Sequence, residues 1–479
     1  MSLDKIVNKL KSECKIIQGG MGVGVSDYNL ARTVSKLGQL GVVSGTLLDT
    51  VMIRRLQNGD ENGDVRSALS EFPNQKIAEE IIERYYTSGG KGESENYKHS
   101  LFPRFKKMSD NSIMLANRNL ENLLVAANFV EVNLAKRGHN NPVGINYLHK
   151  LQWTLMPSIF GAMLAGVDAV LMGAGLPKEI PNIIDLFSNG KGATMPINVV
   201  NNNIYSINFN PDQIIGNNEQ LKKAAFLGIV SNHLGVRALP NVDGYIMEGY
   251  LAGGHNAPAR SKEIDETGEP LYGIADDVNF KLLKGMLKKR EKEQPYWMAG
   301  GYAKKLDEAL LAGASGIQVG TLFAFCKESG VESNLKKEII QYIMNGGEVY
   351  TDPVISPSGF PFKIMKILGT VHEKEIYDNR SRVCNIGGLV DLYENDGNIL
   401  TRCPADKINI YVKSGGDIND TTGRSCLCNN LFSTIGLGSL NEPPIATAGS
   451  DFSDVINIVK THGVNYTAKD VINYILKNT

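Results

Sequence analysis

The chain has 479 residues, 42% of them hydrophobic and 21% charged, with 50 Lys plus Arg set against 51 Asp plus Glu. That is ordinary globular material, long enough for one large domain with an appendage or for two to three domains, and it excludes a disordered or fibrous chain. Balanced charge gives no net field to recruit nucleic acid or an anionic membrane, so small or neutral partners are expected, with a homo-oligomer left open.

In chain order, Lys15 to Gln18 reads as a short strand ending in Gly19, Gly20, Met21 and Gly22. A helix capped by Ser26 and stopped by Gly38 follows, and Gly41 to Thr46 is a second strand, so the opening is a β-α-β unit that needs a parallel sheet. From Leu47 to Asn141 no strand is expected. Asn74 to Tyr86 and Asp110 to Arg137 look helical, which makes 47–141 a mainly helical insertion after strand 2, a candidate lid or oligomer contact. The alternation resumes with a strand at Val143 to Tyr147, a helix from Pro157 to Ala165 and a strand at Val167 to Met172. Met195 to Phe209 alternates weakly and suggests an inserted hairpin. Further strands are expected at Phe226 to Val230, Val242 to Met247, Tyr296 to Ala299 and Ser315 to Val319. Eight strands separated mostly by helices, with glycine or polar residues at their carboxyl ends, predict an α/β fold, a (β/α)8 TIM barrel over 1–350. A doubly wound sheet is the rival; its G-x-G-x-x-G fingerprint is not matched, because the glycines of GGMGVG at 19–24 are out of register. From Val349 the texture turns rich in Pro and Gly, so 351–479 is expected to be a C-terminal extension. It should close with two short helices, the second opened by Thr467 with Asp470 three residues on.

Six cysteines are too few for a disulfide scaffold, the start of the chain has no secretory apolar region, and no run approaches the roughly 18 apolar residues of a membrane helix. A soluble, reduced, cytoplasmic protein is expected. Cys384, Cys403, Cys426 and Cys428 could hold zinc or an iron–sulfur cluster, but their spacing departs from the usual paired C-x₂₋₄-C, and reduced thiols without metal are the expectation.

For chemistry, Glu248 opens a loop carrying Gly253, Gly254 and His255. Paired glycines let a backbone pass close to a flat ligand, and imidazole is the one ring of the loop able to move a proton near neutrality, which makes His255 a candidate catalytic base. The competing reading is a glycine-rich turn with a solvated histidine. AGG at 299–301 and VGT at 319–321 end the seventh and eighth strands, where many barrels hold a phosphate on backbone N–H groups, with Thr321 adding a hydroxyl. Any barrel turns its chain with glycine there, so only the pair is informative. Gln18, Met21, Asn146, Ser231, Glu248, His255 and Gln318 would face the same mouth. Amides such as Asn146 and Gln318 can pair the edges of a heterocycle while Met21 packs a face, which together suggests flavin mononucleotide (FMN).

The stretches QGGMGVGVSDYNLARTVSKLGQLGVVSGT, EGYLAGGHNAPAR, WMAGGYAKKLDEALLAGASGIQVGT and SPSGFPFK resemble the nitronate monooxygenase (2-nitropropane dioxygenase) family and its relatives, the flavin-dependent enoyl-acyl-carrier-protein reductases, over about residues 14–370. The resemblance implies a barrel holding FMN without a covalent bond. Gly300, Gly301, Gly320 and Thr321 would surround the phosphate, and Met21, Asn146 and Gln318 the ring; Gly20, Gly22, Ser231, Glu248, Gly253 and Gly254 complete the expected cofactor set. It also implies that His255 is the acid or base beside the flavin. The activity implied first is oxidation of alkyl nitronates with O2. The alternatives are an enoyl thioester reductase using FMN and NAD(P)H, for which an acyl carrier protein would be a partner, and a barrel that binds FMN without turnover.

Overall fold

A computed structural model describes residues 2–108, 110, 112–200, 203–216 and 220–477. Among these, eight parallel strands form one sheet: Ile16–Gln18, Gly41–Ser44, Val143–Leu148, Ala169–Gly173, Ala225–Val230, Gly244–Glu248, Tyr296–Ala299 and Gly316–Val319. From the second strand on, each pairs with its neighbour in sequence, and the last pairs with the first through Ile16↔Ile317 and Gln18↔Val319. Between the first two strands the ring closes at Ile17↔Leu40, where Gln18 N–H donates to Leu40 O at 2.9 Å and Leu40 N–H to Ile16 O at 3.1 Å. The fold is the expected (β/α)8 barrel, and all eight strands lie where the sequence put them.

The strands are buried on both faces, which is why they read as unbroken apolar runs rather than alternating ones. Ile17, Val42, Leu171, Leu227, Ile246 and Trp297 form a core with Ile6 and Leu10 of the helix Leu3–Glu13, so this helix stops one end of the barrel. Trp297 Nε1 donates to Cys14 O at 3.0 Å, tying the plug to the seventh strand.

Three local expectations are corrected. Asp27, not Ser26, caps the helix Tyr28–Lys36, its carboxylate accepting from Asn29 and Leu30 N–H. The Ser26 hydroxyl is turned inward, where it meets the amide of Gln18 at 2.9 Å and Met21 N–H at 2.9 Å. The helix expected from Pro157 begins at Gln152 and carries the proline inside it. Finally, the insertion is mainly helical but holds two strands, Phe105–Lys107 and Ser112–Leu115, the second lying in a stretch expected to be helical.

Those strands join a second sheet whose order is Asn398–Arg402, Asp391–Asn395, Ala193–Val199, Asn203–Phe209, Ser112–Leu115 and Phe105–Lys107. The expected hairpin is its centre, paired antiparallel from Ala193↔Phe209 to Val199↔Asn203. The last helix of the insertion, Arg118–Lys136, packs on the helices Tyr28–Lys36 and Gln152–Leu164 and contacts the second and third barrel strands, so it serves as the crossover between them. Its Glu131 accepts from Arg55 at 2.6 Å and from Tyr28 N–H at 2.8 Å.

The segment beyond 350 is packed into the same core as the barrel, through residues such as Leu392, Phe432, Ala448 and Val455. Its closing helices, Ser453–His462 and Ala468–Lys477, are those expected, and Thr467 and Asp470 cap the second reciprocally, with Asp470 Oδ2 accepting from Thr467 N–H at 2.8 Å and Thr467 Oγ1 from Asp470 N–H at 3.2 Å.

Candidate active site

The carboxyl ends of the strands converge on a cavity of about 300 Å³. Of the residues singled out in the sequence, Gly20, Met21, Gly22, Asn146, Glu248, Gly253, Gly254, His255, Gly300, Gly301, Gln318, Gly320 and Thr321 all line it. Two strand-end residues do not. Gln18 is buried between the first two barrel strands, its Oε1 accepting from Val42 N–H at 3.0 Å and its amide donating to Val42 O at 3.2 Å. Ser231 is absent from the lining, because the chain turns there into the helix His233–Ala238; its Oγ accepts from Asn232, which caps that helix through Leu234 N–H at 3.0 Å.

Two of the lining amides keep an unused acceptor. Asn146 donates to Gly20 O at 3.1 Å, yet its Oδ1 is buried without a partner, and so is Gln318 Oε1. Buried acceptors without partners are costly and uncommon, so two on one cavity mark where a ligand's hydrogen-bonding edge belongs. The glycine turn expected to face a phosphate is built by backbone. Gly300 has φ +82°, and a Cβ there would lie 2.6 Å from Gly249 O, so the turn tolerates glycine alone. Thr321 Oγ1 accepts from Gly449 N–H at 2.9 Å, which leaves its hydroxyl hydrogen to donate into the cavity.

His255 is fixed by the segment 356–363. An isolated antiparallel bridge joins His255 to Phe362, with Asn256 N–H donating to Pro361 O and Lys363 N–H to Gly254 O, both at 2.9 Å. Phe362 meets the imidazole edge-on, centroids 4.9 Å apart. His255 Nε2 lies 2.7 Å from Ser356 Oγ, which is 2.7 Å from Ser358 Oγ and accepts from Ser358 N–H at 3.2 Å. Burial pushes the His255 pKa down to about 4, so the ring is neutral at pH 7 and able to accept a proton. Burial likewise raises Glu248 to about 7.

Ser356, Ser358, Phe362, Thr447 and Gly449 were not foreseen as site residues. Thr447 Oγ1 accepts from Gly254 N–H at 3.0 Å, and Ala448 stands so close to Gly253 that a Cβ there would meet its carbonyl carbon at 2.7 Å. The signal for Ser356 and Phe362 was the block SPSGFPFK; nothing local in sequence pointed to 447–449.

Residues 197–354 match the family model described as nitronate monooxygenase. Over that stretch the chain is similar to the family that its motifs resemble. No curated protein matches it. Similar solved structures include FabK from Thermotoga maritima, at 14% identity over 99% of this chain and 95% of that one with a TM-score of 0.48. Others are a nitroalkane oxidase from Streptomyces ansochromogenes (13%, 98% and 97%, 0.45) and the enoyl reductase domain of MlnA from the macrolactin biosynthesis cluster of Bacillus amyloliquefaciens (11%, 78% and 69%, 0.39). Likenesses of this size carry nothing about substrate. Among the described residues, no helix is long and apolar enough to cross a membrane.

Proposed function

We propose that this protein oxidises alkyl nitronates with O2, using FMN held in the barrel mouth. The observation that carries the reading is His255: a neutral imidazole on the wall of the same cavity as two unpartnered amide oxygens and a glycine turn. The residues fit FMN. Asn146 and Gln318 would hold the ring edge, Met21 would pack against it, and Gly300, Gly301, Gly320 and Thr321 would hold the phosphate. When bound, FMN supplies the electron sink through which substrate electrons pass to O2.

The chain's own residues do the rest. Ser356 holds Nε2, which leaves Nδ1 as the nitrogen that takes a proton from the carbon beside a nitro group; a substrate arriving already ionised does not need that step. Leu47, Leu148, Leu151, Phe362 and Leu431 give the cavity an apolar wall that suits an alkyl chain and keeps water away from the reacting carbon. The same wall would accept an enoyl chain, so the enoyl thioester reductase, with NAD(P)H as reductant, is the second reading. A small substrate and a reduced, cytoplasmic setting belong to this proposal, supported by balanced charge and six free cysteines.

The test is to purify the protein, record a flavin spectrum, and mix it anaerobically with an alkyl nitronate and separately with NADH and NADPH. Rapid bleaching by the nitronate alone supports the monooxygenase. Bleaching by a nicotinamide alone would replace it with the reductase, and a colourless protein that takes up no FMN would end both readings.

A further inference from the structure

The four cysteines of the last quarter of the chain are distant in sequence but meet in space. Cys384 interacts electrostatically with Cys403, and Cys426 with Cys428. All are free thiols, and among the described residues no three His, Cys, Asp or Glu side chains are grouped as a metal site. The pairs differ in one respect: Cys428 lines the active-site cavity. It sits in the first turn of the helix Leu427–Thr434, with Cys426 just before that turn. A Cβ on Gly388 would lie 3.1 Å from Cys428 Sγ, so the backbone reaches the sulfur there. On the other side, the Asn429 amide donates to Cys426 Sγ at 3.5 Å.

We propose that Cys428 is an oxidisable thiol in the cavity wall that reduces hydrogen peroxide and is resolved by Cys426 into a Cys426–Cys428 disulfide. The inference rests on the cavity and the thiol pair, and stands whichever oxidoreductase reaction the cavity performs. The neighbouring Cys426 side chain, helped by the backbone at Leu389 and Gly388, holds Cys428 below the ordinary thiol value against the opposing effect of burial. The reactive form is thus favoured at the sulfur that faces the cavity. In the first step the Cys428 thiolate attacks the O–O bond. One oxygen stays on sulfur as sulfenic acid and the other leaves as hydroxide, with two electrons passing from sulfur to peroxide. In the second, Cys426 sulfur attacks Cys428 sulfur, the S–O bond breaks, and hydroxide leaves with the Cys426 proton as water. One peroxide and two thiols give one disulfide and two waters.

The test titrates the full-length protein, with and without added FMN, with hydrogen peroxide, then alkylates and maps every cysteine by mass spectrometry. Cys14 and Cys326 are internal references, since both are buried and burial raises their pKa well above the usual thiol value. The expected result is a dithiothreitol-reversible Cys426–Cys428 disulfide forming at least about tenfold faster than either reference thiol is lost. Cys426→Ser should leave a sulfenic acid on Cys428 that dimedone captures. Four results would overturn the proposal: Cys384 and Cys403 oxidising first; Cys428 oxidising no faster than the references; a folded Cys426→Ser variant without a dimedone adduct; or near-stoichiometric zinc on the isolated protein. The wild-type arm decides the matter alone if the variant fails to fold.

Discussion

Ser356 Oγ lies 2.7 Å from His255 Nε2 although the two residues are 101 positions apart in sequence. A buried hydroxyl from beyond the barrel thus occupies one of the two imidazole nitrogens. Ser356→Ala should keep FMN but lose on the order of 10-fold in kcat with a neutral nitroalkane, because the ring loses the partner that fixes its orientation. Ser356→Thr should restore most of the loss. Steady-state kinetics across pH separates the cases: a purely structural serine would lower both substrates' rates equally and leave the pH profile unmoved.

His255→Ala should also retain FMN, since the phosphate turns at 300 and 320 are untouched, yet turn over a neutral nitroalkane on the order of 10² to 10⁴ more slowly. Its nitronate should suffer less, because the anion arrives without the proton. Equal losses for the two forms would make the histidine an orienting group, and loss of bound flavin would make it structural.

Gly301→Asp and Gly320→Asp should each abolish flavin retention. Both positions line the cavity at the expected phosphate turn, and a carboxylate there repels the phosphate. Gly301 also has φ +79°, which strains any side chain. Gel filtration followed by an absorbance spectrum reads the result; normal flavin content in both variants would move the phosphate elsewhere.

Glu248 sets a pH dependence of stability. Burial raises its pKa from 4.5 to about 7, so in this range the folded state holds the proton more tightly than the unfolded chain. Stability from this group is therefore fully present below about 4.5 and falls as pH rises towards 7. Glu248→Gln should leave the melting temperature at pH 4.5 nearly unchanged and raise it at pH 8 by about 1–3 °C in the flavin-free protein. Thermal melts at the two pH values check the sign; a variant destabilised more at pH 8 than at pH 4.5 would contradict it.

The barrel was legible because each of its strands is a short apolar run ended by glycine or a polar residue, and neighbours in sequence are neighbours in space. The second sheet was less so. Phe105–Lys107, Ser112–Leu115 and Asp391–Asn395 are short, and partners from far along the chain, such as Ile113↔Ile207 and Leu392↔Val199, hold them in place. Strand-end position alone misled at Gln18 and Ser231, since it says that a residue is near the mouth but not which hydrogen bonds compete for it. Likewise Ser26 and Asp27 are both good caps, and only the demand of Gln18 and Met21 for the serine hydroxyl assigned the role to Asp27. His255 was visible through its glycines, whereas its serine partner was a long-range contact.

The bond from Gly449 N–H to Thr321 Oγ1 has a consequence for the order in which the molecule is made. Every barrel strand has left the ribosome once Val319 is clear, so the ring can close on a nascent chain. The contact of 447–449 with its mouth cannot form until Gly449, 128 positions after Thr321, has emerged. Completion of the site is thereby deferred well past completion of the ring, and a chain that stalls between the two would carry a closed ring with an open mouth.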